Sequence, residues 1–136
     1  GLCVVVLLAF ALVQGVRQRA ETAIEWNAED RRPIESLDSC RERWSLRDPD
    51  TRNALLESSD RFVQISREAE ITYYPEFSAA LNGIANIRVM RGEYDVAMPL
   101  HEEVRKNLKK HLEPEHPDAV QIEQNIARAR ALRDRP

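Results

Sequence analysis

The chain returns to itself after 42 residues. Tyr74-Pro75 opens a stretch running through Leu81-Asn82-Gly83-Ile84-Ala85, and His116-Pro117 opens a second through Glu123-Gln124-Asn125-Ile126-Ala127, 42 residues further on. Pro33 stands another 42 residues before Pro75. A recurrence of this length marks stacked supersecondary units, each with an apolar face that only a neighbouring unit can cover. It predicts an all-α solenoid of helical hairpins.

The apolar spacing agrees with helices throughout. Pro33 begins a first unit in which Ile34, Leu37, Cys40 and Trp44 recur at three- and four-residue intervals. Asp48-Pro49-Asp50 supplies a turn, with Asp50 placed to cap a helix from Thr51 to Ile71. The apolar positions of that helix are Ala54, Leu55, Phe62, Ile65 and Ala69, with Val63 at the margin. In the second unit Phe77, Leu81, Ile84, Ala85 and Val89 form one stripe, and Arg91-Gly92 ends the helix at a residue suited to a left-handed turn. Val96, Ala97, Leu100, Val104 and Leu108 form the next stripe, in a helix reaching Leu112 with Pro99 near its first turn. The double-proline segment from Glu113 to Pro117 breaks the pattern, and a third first-helix follows, with Val120, Ile126, Ala127 and Leu132 expected to cover the open end. The resulting division is an apolar helix over 1–26, a linker over 27–32, and units over 33–73, 74–115 and 116–133. From residue 27 onward no strand alternation or hairpin signal appears.

Gly92-Glu93-Tyr94-Asp95-Val96-Ala97, preceded by Leu81, Ile84 and Ala85, resembles the tetratricopeptide repeat. Together with His116-Pro117-Asp118 ahead of Asn125-Ile126-Ala127, and Ala97-Met98-Pro99-Leu100, the 42-residue spacing looks like the extended variant of kinesin light chains. The resemblance covers Pro33 to Leu132 and is strongest from Tyr74 onward. His101 and Val104 depart from the aromatic and small residues usual in the second helix, and Arg43 falls where a small residue is expected.

The N-terminus has a different composition. Residues 1–16 are uncharged and apolar apart from Gln14, and Arg17 and Arg19 close the run. Three readings stay open: a truncated membrane span, since spanning takes ~20 apolar residues; a signal-peptide core; and a buried or repeat-docking soluble helix. Gly1 is not an initiator methionine, and no partner helix follows Arg133, so the chain is expected to be a fragment. The expected location is membrane-anchored, and if the run spans, Arg17 and Arg19 lean toward placing the repeats on the cytoplasmic side; a secreted or a soluble cytoplasmic protein is the alternative.

Twenty basic and 23 acidic residues, net −3, alternate along the helical stretches, which is the pattern of a solvated surface and not of a nucleic-acid footprint. No nucleic-acid partner is expected. Cys3 and Cys40 form no CxxC pair or disulfide framework. His101, His111 and His116 lack the three- or four-residue spacing of a metal pair, so no metal or other cofactor is expected, and His116 reads as part of the turn before Pro117. Tyr73 and Tyr74 read as packing at an interhelix turn. With no nucleophile and base, glycine-rich phosphate loop or paired carboxylates in a defined context, the chain is not read as an enzyme and no catalytic residue is assigned.

First helices of stacked hairpins line a concave wall on which polar side chains can hold an extended peptide. The resemblance implies that Asn82, Asn86, Gln124 and Asn125 grip a partner's main chain, with Arg88 or Arg128 for an acidic side chain. The expectation is a protein- or peptide-binding scaffold tethered by residues 1–16. Two rivals remain: a regulatory or sensory tail of a larger membrane protein, loosely like the layout of bacterial receptor-type serine/threonine kinases, and a structural homo-oligomer joined through its helical ends.

Overall fold

A computed structural model describes residues 3–14, 34–72 and 75–136. The expected linker, Pro33, Tyr73 and Tyr74 lie outside the described residues, as does the part of the N-terminal helix beyond residue 14. The described residues are helical with no strand: α1 (residues 3–14), α2 (Leu37–Ser45), α3 (Pro49–Glu68), α4 (Glu76–Met90), α5 (Tyr94–His111) and α6 (Pro117–Arg133). The architecture is all-α.

Local chemistry sets where these helices start. At α2 the Ser36 hydroxyl accepts the Ser39 N–H at 3.1 Å. The cap of α3 is Asp48, two residues earlier than the expected Asp50. Its carboxylate accepts the Thr51 N–H at 3.0 Å and the Thr51 hydroxyl at 2.6 Å, while Pro49 occupies the first helical position. Proline there loses nothing, because that N–H has no helical acceptor. His116 caps α6 through Nδ1, which accepts the Asp118 N–H at 3.1 Å.

The ends of α3 and α4 share one device. Gly92 has φ +75° and Glu93 N–H returns to the Arg88 carbonyl at 2.9 Å; Glu70 has φ +56° and Ile71 N–H returns to Ser66 at 2.8 Å. Both are left-handed terminations that satisfy carbonyls of the last turn. In α5, Pro99 falls one turn further in than expected, and the helix continues through it.

α4 is the central element, touching α2, α3, α5 and α6, while α5 also packs on α6. One core gathers Ile34, Cys40, Leu56, Val63, Phe77, Leu81, Ile84, Ile87, Val104, Leu108, Ile122 and Ile126. A second, smaller one joins Leu37, Val89, Ala97 and Ala129. The stripe expected on α4 is buried as read, but the flanking helices are rotated from expectation. Val96 is 52% exposed and His101 is buried in the stripe with Ala97, Val104 and Leu108. On α3, Leu56 and Val63 are buried while Leu55 and Ala54 face outward. On α6, Ile122, Asn125, Ile126 and Ala129 are buried, and Val120 and Ala127 are exposed. One residue of offset turns a helical position by about 100°, enough to exchange a core side chain for a surface one.

α1 carries its apolar side chains outward, Leu7, Leu12 and Phe10 among them. Among the described residues no helix is long and apolar enough to cross a membrane.

Candidate functional site

Three amides of the predicted set meet at a single backbone oxygen. Asn82 and Asn86, four residues apart on α4, and Asn125 on α6 all donate to the carbonyl of Glu35, at 2.9, 3.2 and 2.8 Å. Glu35 belongs to the short segment leading into α2, where Ser36 is extended with ψ 150°. Asn125 also accepts the Leu37 N–H at 3.1 Å. Its side chain therefore pairs with a carbonyl and with the N–H two residues on, as a neighbouring strand would.

The amides are wired to one another. Asn125 donates to Asn82 Oδ1 at 3.0 Å, Gln121 donates to Asn125 Oδ1 at 3.0 Å, and His101 Nε2 lies 3.0 Å from Asn86 Oδ1. Because the Asn86 amide nitrogen donates to Glu35, its oxygen is the acceptor, which assigns His101 as the neutral tautomer carrying its proton on Nε2. Burial pushes the His101 imidazole down to about 4, with nearby Glu102 pulling weakly the other way. His101 Nδ1 is buried without a hydrogen-bond partner. Asn82, Asn86, Asn125 and His101 are all essentially sealed from solvent. A buried amide left unbonded costs about 1–3 kcal/mol, so a cluster this enclosed holds together by near-complete pairing.

The flanks of the gripped backbone are apolar. Ile34 and Leu37, on either side of Glu35-Ser36, are 2% and 1% exposed. The Glu35 carboxylate turns away from the cluster to Arg43, at 2.6 and 2.8 Å, and accepts the Ser39 hydroxyl at 3.3 Å. The chemistry of the site is thus backbone recognition by amides, bordered by two apolar seats.

The remaining predicted residues lie elsewhere. Gln124 is exposed; Gln121, one turn before Asn125, is the amide that joins the cluster. Arg88 is three-quarters buried and bridges Glu93 at 2.8 Å and Asp60 at 3.8 Å. Arg128 lies 3.7 Å from Asp38 of α2. Sequence reading missed His101, Gln121 and the Glu35 carbonyl. The available signal for His101 was its place in the run Ala97, His101, Val104, Leu108; nothing local marked Glu35, which comes to the amides from 47 to 90 residues away in sequence. No protein-family model, curated protein or solved structure matches this chain.

Proposed function

We propose that this chain is a non-catalytic scaffold that binds a protein or peptide, built as a tetratricopeptide-like stack of hairpins. The observation that carries this reading is the bidentate hold of Asn125 on Glu35 C=O and Leu37 N–H, joined by Asn82 and Asn86 at the same oxygen. These are side chains that recognise extended main chain irrespective of its sequence. The stacked arrangement is supported by α4 touching both α2 and α6, as alternate helices do in a row of hairpins. Half-exposed Arg128, beside Asp38 of α2, and exposed Gln124, next to Asn125 in sequence, suit an incoming acidic or polar partner.

Panning a display library of random ten-residue peptides against the immobilised chain tests the reading. Enrichment over a blank surface is expected, with capture reduced by the joint change Gln124→Ala and Arg128→Glu while helicity by circular dichroism is unchanged. Absence of enrichment, or enrichment indifferent to both substitutions, would refute it.

Tethering to a bilayer through residues 1–16 is a separate proposal. It is supported by the outward-facing apolar side chains of α1, of which Val5, Leu7 and Leu12 are 65%, 67% and 71% exposed. A helix apolar on every side gains free energy from an apolar surrounding on every side. Flotation with phosphatidylcholine vesicles tests it: the chain should rise with the lipid, and the variant Leu7→Asp/Phe10→Asp should stay at the bottom.

A further inference from the structure

We propose that the amide cluster is an exchangeable backbone-binding site, held at rest by the chain's own Ile34–Leu37, and that its external partner is an extended segment with apolar side chains three positions apart. This rests on the peptide-holding reading above and adds to it the resident occupant and the pattern of the visitor.

The pattern follows from which parts of the resident segment the cluster touches. It bonds the Glu35 carbonyl and the Leu37 N–H, and it seats Ile34 and Leu37 among buried residues. The side chains of Glu35 and Ser36 are engaged by Ser39, Arg43 and the first turn of α2, all within the resident element itself. The two middle side chains are therefore unread by the site. A visitor needs the two apolar ends and a free backbone between them.

Exchangeability follows from how the resident is held. α2 has nine residues, too few to be stable as an isolated helix, and it packs on α4 more extensively than on its sequence neighbour α3. The turn that joins it to α3 is exposed, with Leu46 82% accessible. Its ties to α3 include hydrogen bonds from Arg52 to the Trp44 and Ser45 carbonyls, at 3.0 and 3.3 Å. The cluster also offers more donors than the resident uses well. Three amide N–H groups crowd one oxygen with two lone pairs, and the Asn86 bond is the longest of the three at 3.2 Å. α2 packs chiefly on one other helix, α4, and segments with few packing partners open locally while the rest of a fold stays closed.

Two measurements on the full chain test this. In hydrogen exchange, the Leu37 and Cys40 amides should exchange at least about tenfold faster than those of Val104 and Leu108 in α5. Equal rates would overturn the exchangeable resident. In the second, a fluorescein-labelled peptide of residues 34–43 is titrated by anisotropy into the native chain, into Leu37→Asp, and into Leu37→Asp/Asn125→Ala. Binding to Leu37→Asp should be at least about tenfold tighter than to the native chain, and should be lost when Asn125 is also removed. If Leu37→Asp loses helicity, the same titration is made on a chain carrying a protease site after Leu46, before and after cutting. Capture that fails in every helical form overturns both the inference and the peptide-holding reading. Capture by the cut chain with equal exchange rates overturns the exchangeable resident alone.

Discussion

His101 shows how much one side chain can record about its surroundings. The imidazole stays neutral in the folded chain down to about pH 4, whereas an unfolded one takes up a proton near 6.5. Between those values protons favour the unfolded state, so the contribution is full above about pH 6.5, falls as pH drops towards 4, and is flat below. The difference corresponds to roughly 3 kcal/mol. Urea unfolding at pH 7 and pH 4.5 should show that loss, and His101→Gln should flatten it; an equal pH dependence in the variant would refute the assignment. Asn125 belongs at this scale too. Asn125→Ala strands the Leu37 N–H and removes a donor from Glu35 and from Asn82, so a cost of about 2–4 kcal/mol is expected in urea unfolding.

Among the elements, the helix ends give opposite predictions from the same geometry. Gly92→Ala forces a Cβ into φ +75° and should destabilise by about 1 kcal/mol, while Glu70→Gly relieves a side chain already held at φ +56° and should stabilise by a similar amount. Gly83 lies inside α4 at ordinary helical geometry, and a Cβ there would meet nothing within 4 Å. Gly83→Ala should then add about 0.5–1 kcal/mol, read as a shift in thermal midpoint. The breaks at Gly92 and at Glu113–Pro117 were legible because they depend on local backbone preference. The rotation of α3, α5 and α6 was not, since Leu55 or Leu56, and Val96 or Ala97, serve equally well on an isolated helix. A packed neighbour decides which of two adjacent apolar residues points inward.

For the whole molecule, charge and apolar surface are segregated. Surface ion pairs such as Arg67–Glu103 and Arg105–Glu123 link the helices of the charged body, whereas the side chains of α1 are apolar and exposed. Leu12 and Val13 border an open apolar cleft with Ile65, Glu68 and Ala69 of α3. Exposed pairs of this kind contribute about 0–1 kcal/mol each, so raising the salt should change stability little. Light scattering in mild detergent, which covers α1, should give the 15.7 kDa of one chain. A stable dimer in detergent would favour the homo-oligomer alternative over the scaffold.

The sequence by itself determined that the described chain is helical, where α4 and α5 turn into each other, and that Asn82, Asn86 and Asn125 are chemically distinctive on α4 and α6. Those properties come from residues a few positions apart, whose spacing and backbone preferences act before any tertiary contact forms. What the amides hold was decided only by the tertiary structure. Glu35, Asn82, His101 and Asn125 are separated by tens of residues and carry no local mark of their meeting. They meet because the segment leading into α2 packs against α4 and α6 together, and burial there favours pairing of their polar atoms with one another.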